Sequence, residues 1–316
     1  MQAGTASAID HGRTELNKIL LGQAGVVDQC LLALLCRGHV LLEGVPGIGK
    51  TLLGKLVGHL VGLKFQRVQC TSDLMPADIS GGNILNAATS KFELHRGPVF
   101  TDLLLVDEIN RMPPRTQAAL LEAMEERQVT IDGIRHSLAR DFTVFATQNP
   151  VEFEGTYPLP EAQLDRFLLK VKMGYPSAND EVEVLASHHR GFDAHDLSTL
   201  DLKPLPAGWL EEARDKAAHI TIQPELLRYV SNIVRKTREW PALMLGASPR
   251  AGVALMQVAK AKAVLDGRDY LIPDDVKSVV APTLRHRVRL RPEAELEGFS
   301  SDDILTQLVG SVEVPR

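Results

Sequence analysis

The first 175 residues alternate short apolar runs with stretches of helical periodicity. Five runs have the length and composition of strands: residues 40–43, 65–69, 103–107, 142–147 and 167–172. Uninterrupted apolar runs are typical of strands that are buried on both faces of a sheet. Strands that alternate with helices predict an α/β fold, with a five-stranded parallel sheet between helices.

After a turn cluster at residues 174–177, the pattern becomes almost entirely helical. The segments with helical periodicity are residues 181–189, 209–219, 225–238, 249–266 and 274–281, and residues 191–206 are predicted to form a loop. We therefore predict an α/β domain over residues 1–175 and an all-helical domain over residues 176–316, each of ordinary domain size.

Two extra elements interrupt the predicted α/β domain. Residues 128–138 alternate around Asp132-Gly133, which predicts a β-hairpin. Residues 81–93 are polar and contain Gly, Asn and Ser, which favours a surface insertion. Either element could be functional or could be an addition without a role, and the local sequence does not decide between the two.

Composition limits the functional classes. The chain has 316 residues and a net charge of −5, which gives no indication of a strongly basic nucleic-acid surface. Cys30, Cys36 and Cys70 form no C-x-x-C pair, as expected of buried thiols in a reducing compartment. The polar first twelve residues and the lack of a long apolar run indicate neither a secretory signal nor a membrane span. We therefore expect a cytoplasmic protein.

The first candidate for chemistry is a glycine-rich segment between a predicted strand and a predicted helix. It fits G-x-x-x-x-G-K-[ST], a pattern whose main-chain N–H groups surround phosphate. We expect Lys50 to reach the β- and γ-phosphates of ATP and Thr51 to bind Mg²⁺, the only metal implied. The alternative is a glycine-rich turn with an exposed lysine. The predicted nucleotide-binding residues are Gly44, Val45, Pro46, Gly47, Ile48, Gly49, Lys50, Thr51 and Leu52.

The second candidate is an acidic pair at the end of the apolar run at residues 103–106. Adjacent carboxylates beside a core are costly unless positive charge meets them, and Mg²⁺ with ATP supplies that charge. Asp107 would hold the metal and Glu108 would polarise the attacking water. The alternative is a strand that ends in an acidic turn.

A third candidate follows the fourth predicted strand. Asn149 lies at its carboxyl end, the edge at which parallel sheets bind ligands, and its amide could orient a water at the γ-phosphate. Asn before Pro is also common in turns, and this alternative stays open.

Together these segments resemble the MoxR family, a branch of the AAA+ ATPases. The resemblance extends from Leu21 to about residue 288. The segment E-G-T-Y-P-L-P-E-A-Q-L-D-R-F, which begins at Glu154, is much more specific than the phosphate loop. The segments that carry the resemblance are residues 44–51, 106–114, 117–132, 146–150, 154–167 and 246–251.

The resemblance implies roles that the local patterns do not assign. Asn149 would be the sensor-1 residue, and Arg166 an arginine finger that contacts the γ-phosphate held by a neighbouring subunit. Arg250 would be the sensor-2 arginine on a helical lid, acting within its own subunit or across the interface. The residues implied for the adenine pocket, or alternatively an ordinary turn, are Leu21, Gly22 and Gln23.

The resemblance leaves the roles of some positions open. Arg111 could act across the interface, or it could brace Glu108 or Glu122. The chain departs from the common family pattern at Cys70 and at Ser80-Gly81-Gly82, and the second departure leaves the shape of the insertion at residues 81–93 open.

The resemblance also implies what the protein does. A MoxR-type ATPase would form a homo-oligomeric ring, a hexamer, with both extra elements facing its pore. It would remodel a client protein in a chaperone-like way, together with a partner that has a von Willebrand factor A domain. The alternatives are a magnesium-chelatase-like motor subunit and a nucleic-acid motor, although the acidic composition argues against the latter.

Overall fold

The structure is a computed structural model that describes residues 2–150, 155–193 and 202–315. Glu154 and residues 194–201 of the predicted loop at residues 191–206 lie outside the described residues. Within the described ranges, no helix combines the length and the apolar character that crossing a membrane requires.

Helices and strands alternate in the first half, and helices dominate the second. A short 3-10 helix, Ile109–Arg111, follows the strand Leu103–Asp107. In chain order the elements are α1 (Gln2–Ile19), α2 (Ala24–Leu35), β1 (His39–Glu43), α3 (Lys50–Val61), β2 (Phe65–Gln69), α4 (Pro76–Ser80), β3 (Gly81–Asn86), β4 (Lys91–Arg96), β5 (Leu103–Asp107), α5 (Pro114–Glu126), β6 (Gln128–Ile131), β7 (Ile134–Ser137), β8 (Thr143–Gln148), α6 (Glu161–Leu164), β9 (Phe167–Lys172), α7 (Ala178–His189), α8 (Trp209–Ala218), α9 (Pro224–Glu239), β10 (Leu243–Leu245), α10 (Pro249–Leu265), α11 (Pro273–Leu284), β11 (Arg289–Leu290), α12 (Pro292–Leu296) and α13 (Ser301–Gly310).

The five predicted strands form one parallel sheet in the order β2-β5-β8-β1-β9. Their predicted bounds agree with the structure to within one residue. The α/β prediction is therefore confirmed. Since β8 lies between β5 and β1, the segments that follow these three strands meet at one edge of the sheet.

Both faces of the sheet are buried, as the uninterrupted apolar runs indicate. Leu103 and Leu105 on β5 belong to one apolar cluster, and Leu104 and Val106 belong to the other. Successive side chains of a strand point to opposite faces, so a strand between two helical layers must be apolar throughout. The first cluster continues into the C-terminal helices, which bury Ala251 and Leu255 of α10 in it.

The second half confirms the helical prediction with one correction. Helices α7 to α11 overlap all five segments predicted from periodicity. This part is not all-helical, however, because β10 and β11 form a short antiparallel pair through Leu243 and Leu290. Strands this short carry too few residues for an alternating pattern to be recognised. The domain boundary near residue 175 stays a prediction.

Both extra elements are antiparallel hairpins. In β6–β7, Asp132 and Gly133 have φ of 48° and 80°, as the predicted two-residue turn requires. The insertion at residues 81–93 is the hairpin β3–β4, which extends to Arg96. Gly81 has φ of 85°, and a Cβ there would collide with the main-chain oxygen of His95, which explains the glycine at this departure from the family pattern.

The buried sheet gives a prediction about stability. Phe145 on β8 is fully buried, whereas Phe92 on β4 is 72% exposed. We expect Phe145→Ala to lower the free energy of unfolding by about 3–5 kcal/mol, because it leaves a cavity beneath the central strands. The matched change Phe92→Ala should cost less than about 0.5 kcal/mol. Urea denaturation measures both, and equal midpoints would contradict the assigned packing.

Candidate functional site

The phosphate loop connects β1 to α3. Gly47 and Gly49 have φ of 82° and 88°, a region that side chains rarely adopt, and no atom lies within 4 Å of a Cβ placed on Gly47. Lys50 begins α3, and its Nζ donates to the main-chain oxygens of Gly44 at 2.6 Å and Val45 at 2.8 Å. The loop is therefore wrapped around the ammonium group at a helix N-terminus, where anions are favoured.

Asp107 lies beside this loop, at the end of β5. Its side chain is only 7% exposed, and Thr51 Oγ1 donates to Asp107 Oδ2 at 3.0 Å. Arg67 Nε, from the edge strand β2, donates to the same oxygen at 2.6 Å. Burial of a carboxylate requires such partners. The structure thus brings together the two residues that the sequence predicts as metal ligands.

Glu108 has an unusual backbone. Its φ of 59° and ψ of 53° are left-handed, a conformation that costs a non-glycine residue of the order of 1 kcal/mol. Its N–H donates to Thr147 Oγ1 at 2.8 Å, which holds this turn in place. Its carboxylate forms an ion pair with Arg111, whose Nε lies 3.1 Å away, and accepts a hydrogen bond from Gln69 Nε2 at 3.3 Å. The contact with Arg111 corresponds to one of the alternatives for that residue, a brace for Glu108.

Asn149 follows β8, between the acidic pair and the phosphate loop. It is 5% exposed, and the preceding residue pairs with Glu43 at the end of β1. Gly44 N donates to the main-chain oxygen of Gln148 at 3.2 Å, which ties the loop to this strand. The strand order therefore gathers Asn149, Asp107 and Lys50 at one edge of the sheet, as the sequence predicts.

A cleft of about 950 Å³ opens next to the phosphate loop. Leu21 and Gln23 line it together with residues 46–49 and Leu52, opposite α7. Gly22 does not line it; a Cβ at Gly22 would lie 2.9 Å from Asp180 of α7. Two of the three residues implied for the adenine pocket thus face a cavity that continues into the loop.

Arg166 and Arg250 lie elsewhere, in a second cavity of about 290 Å³. Arg166 Nε donates to Glu125 Oε2 at 2.8 Å, and Arg250 Nη1 lies 3.7 Å from Glu125 Oε1. Ser248 caps α10 by accepting from Ala251 N, which sets Arg250 in the first turn of that helix. No described residue lines both cavities. The two arginines are therefore near each other but outside the cleft of their own chain.

Four residues of these two sites were not predicted from the sequence: Arg67, Gln69, Thr147 and Glu125. Arg67 and Gln69 alternate on an edge strand, and this pattern alone indicates only an exposed face. Their contacts with the acidic pair depend on the pairing of Gln69 with Asp107 across β2 and β5. A single sequence does not encode that register in any local pattern.

Cys70 lies close to the acidic pair but takes no part in its hydrogen bonding through the thiol. Burial, together with the negative charges of Asp107 and Glu108, raises the pKa of the Cys70 thiol to about 12. The thiol therefore stays protonated at neutral pH and fills space as a small apolar group. This departure from the family pattern leaves the charge of the site unchanged.

Two family profiles match the chain. The family described as ATPase family associated with various cellular activities (AAA) matches residues 39–169, which contain the phosphate loop, the acidic pair and Asn149. The AAA lid domain matches residues 235–308, which contain Arg250. The order of the two matches agrees with the predicted order of an α/β part followed by a helical lid.

Relatives match nearly the whole chain. An uncharacterised protein, YeaC, from Bacillus subtilis is 45% identical over 98% of this chain and 94% of its own length. Chaperone MoxR1 from Mycobacterium tuberculosis is 39% identical over 99% of this chain and 84% of its own length. The crystal structure of a candidate ATPase from Cytophaga hutchinsonii superimposes with a TM-score of 0.89 at 38% identity, covering 100% of this chain and 97% of that one. The chain therefore belongs to the MoxR family of AAA+ ATPases.

Proposed function

We propose that this protein hydrolyses ATP to ADP and phosphate and uses the cycle to remodel a client protein. The observation that carries the proposal is the meeting of the phosphate loop with the acidic pair, where Thr51 Oγ1 lies 3.0 Å from Asp107 Oδ2. A phosphate cradle beside a buried carboxylate and a second, partly exposed one has the parts that hydrolysis of a nucleoside triphosphate needs.

The residues present fit ATP with Mg²⁺. Thr51 and Asp107 supply a hydroxyl and a carboxylate oxygen, the ligand atoms that Mg²⁺ prefers, and the metal when bound would neutralise phosphate charge. Arg67 donates to the same carboxylate and would have to give way or share it. Lys50 already lies within the loop, so its ammonium would exchange carbonyl oxygens for phosphate oxygens.

Glu108 is our candidate for the general base. Its side chain is 32% exposed, which gives water access to the carboxylate. Arg111 and Gln69 bind that carboxylate and would fix its direction, while Asn149 would orient the water from the next strand. A positioned carboxylate base contributes typically 10²–10⁴ in rate.

The separation of the two cavities supports a reaction shared between subunits. Arg166 and Arg250 do not line the nucleotide cleft of their own chain. In a ring, we propose, both arginines reach the phosphate held by the neighbour, and the ring is a hexamer. An arginine that stabilises transition-state charge is worth about 10³–10⁵ in rate, so hydrolysis would depend on assembly.

The two hairpins are our candidates for client contact. Ile84, Leu85 and Phe92 on β3–β4 expose more than half of their surface, an arrangement more typical of a contact surface than of decoration. Asn83 Nδ2 donates to Asp132 Oδ2 at 2.7 Å, which links this hairpin to the turn of β6–β7. We propose that the linked hairpins face the pore of the ring.

The type of client, the partner protein and the cellular compartment are also proposals. The relative named Chaperone MoxR1 supports chaperone-like work on a protein client, and the family resemblance adds a partner with a von Willebrand factor A domain. Three free cysteines, two of them buried, support a reducing compartment such as the cytoplasm. The relatives that span the whole chain favour this function over a chelatase subunit or a nucleic-acid motor. Stimulation of hydrolysis by DNA would contradict that choice.

The division of roles within the site is testable by calorimetry. We expect Lys50→Ala to weaken the binding of ATP with Mg²⁺ by about 100-fold, since charged hydrogen bonds to phosphate are lost. Glu108→Gln should bind ATP normally and lose turnover by about 10²–10⁴-fold. Lys55→Ala, five residues further along α3, is the matched control and should leave both quantities unchanged. Equal losses of affinity in the Lys50 and Glu108 variants would show that the roles are wrongly divided.

The shared site is testable by mixing inactive subunits. Arg166→Ala should bind ATP but lose about 10³-fold or more in hydrolysis, because only the finger is absent. Glu108→Gln has the opposite defect, an intact finger beside an inactive cleft. Mixing the two should restore phosphate release at interfaces where an intact cleft meets an intact Arg166.

Two controls accompany the mixing experiment. Arg228→Ala, an exposed arginine on α9, should keep its activity without any mixing. Light scattering must show that the two inactive preparations co-assemble. If they do and no activity returns, Arg166 acts within its own chain or only in folding.

A further inference from the structure

We propose that Glu125 is a positioning residue that holds Arg166 and Arg250 together until the phosphate of a neighbouring subunit takes its place. The proposal rests on the function proposed above. It adds a residue to which neither the sequence analysis nor the family resemblance gives a role. In this view the carboxylate of Glu125 sets the concentration at which subunits assemble.

The contacts of Glu125 are divided between the two arginines. One carboxylate oxygen accepts a hydrogen bond from Arg166 Nε at 2.8 Å, and the other lies 3.7 Å from Arg250 Nη1. Arg166 is held more closely, since it also donates to the main-chain oxygen of Ala162 and its side chain is only 29% exposed. Arg250 is 62% exposed and is the more loosely held of the two.

The position of Glu125 does not stabilise its own helix. Glu125 lies in the last turn of α5, where the helix dipole disfavours negative charge by about 0.3–1 kcal/mol. Arg250 lies in the first turn of α10, where the dipole disfavours positive charge. Each charge is thus unfavourable in its own element and favourable toward the other. Such local conflicts concentrate at functional sites.

Positive charge exceeds negative charge around the cavity. Five arginines line it, against the carboxylates of Glu125 and Asp165; the arginines are Arg37, Arg127, Arg166, Arg250 and Arg287. Asp165 is already bound by the buried Arg287 at 2.6 Å and lies 4.0 Å from Arg250 Nε. Glu125 is therefore the lining carboxylate that lies within ion-pair distance of both candidate arginines, and the excess of positive charge leaves the cavity able to accept an anion.

An incoming phosphate would meet this carboxylate directly. A terminal phosphate carries more negative charge than Glu125 and offers oxygens that match the guanidinium fork. The two anions repel each other at close range, so binding of the phosphate favours release of both arginines from Glu125. Removing the charge of Glu125 should therefore make assembly easier, whereas removing a simple structural brace should make it harder.

The experiment measures ring assembly in a Glu108→Gln background, with ATP and Mg²⁺ and without turnover. Sedimentation velocity at a series of protein concentrations gives the midpoint of assembly. We expect Glu125→Gln, which keeps the shape and removes the charge, to lower this midpoint about fivefold, the value of one partly exposed ion pair of about 1 kcal/mol. Glu125→Ala should shift it in the same direction.

Two comparisons make the test specific. Glu126→Gln removes a charge from the adjacent exposed residue, which forms no ion pair with either arginine in the described part of the chain, and should leave the midpoint unchanged. In an Arg166→Ala background, Glu125→Gln should shift the midpoint less than about twofold, because the closer partner of Glu125 is absent and only the loosely held Arg250 remains.

The outcomes distinguish a failure of the role proposed for Glu125 from a failure of the proposed ring mechanism. If the parent forms a ring but Glu125→Gln raises the midpoint or leaves it unchanged, Glu125 is a brace or a bystander and the inference is wrong. The same holds if the fivefold shift persists without Arg166. If the Glu108→Gln parent forms no ring at any concentration, the proposed ring mechanism fails, and the role of Glu125 fails with it.

Discussion

The arrangement of the site depends on two carboxylates, Asp107 and Glu108, that stand at the end of β5, a strand buried on both faces. Asp107 is almost fully enclosed, so it requires donors, and Thr51, Arg67 and Thr147 provide them from three different segments. These contacts fix the phosphate loop, the edge strand β2 and strand β8 relative to β5. The apolar core of the sheet supplies rigidity, and the hydrogen bonds to Asp107 determine how the phosphate loop, β2 and β8 meet at the edge of the sheet.

The same constraint explains the conformation of Glu108. A strand that ended in an extended Glu108 would direct its successive side chains to opposite faces of the sheet. The left-handed backbone at Glu108 turns the chain at once into the 3-10 helix Ile109–Arg111. This turn brings Arg111 within 3.1 Å of the Glu108 carboxylate. The hydrogen bond from the Glu108 N–H to Thr147 Oγ1 holds this strained backbone in place, and the same hydroxyl donates to the Asp107 carboxylate, so one threonine contacts both residues of the acidic pair.

Charge is arranged differently in the second cavity. Around the phosphate loop, carboxylates and a lysine lie on the same edge of the sheet, whereas the second cavity collects five arginines around two carboxylates. Once a nucleotide phosphate occupied the loop, its negative charge would be complementary to the excess of guanidinium groups in the second cavity of another copy of the chain. Electrostatic complementarity of this kind fixes orientation and speeds encounter more than it adds affinity. This complementarity is the physical basis of the proposed ring.

The sequence by itself determined the elements whose information is local. The five strands follow from continuous apolar runs, the turn at Asp132-Gly133 from its need for positive φ, and the phosphate loop from glycines next to Lys50. Tertiary structure alone decided which distant side chains meet. Gln69 contacts Glu108 because β2 pairs with β5. Glu125, Arg166 and Arg250 lie on three separate segments of the chain and meet only in the folded protein. The pair β10–β11 was equally hidden, since two or three residues carry no periodicity. Local patterns reflect the repeat of one element, whereas these contacts depend on strand order and helix packing, which arise only when the whole core forms.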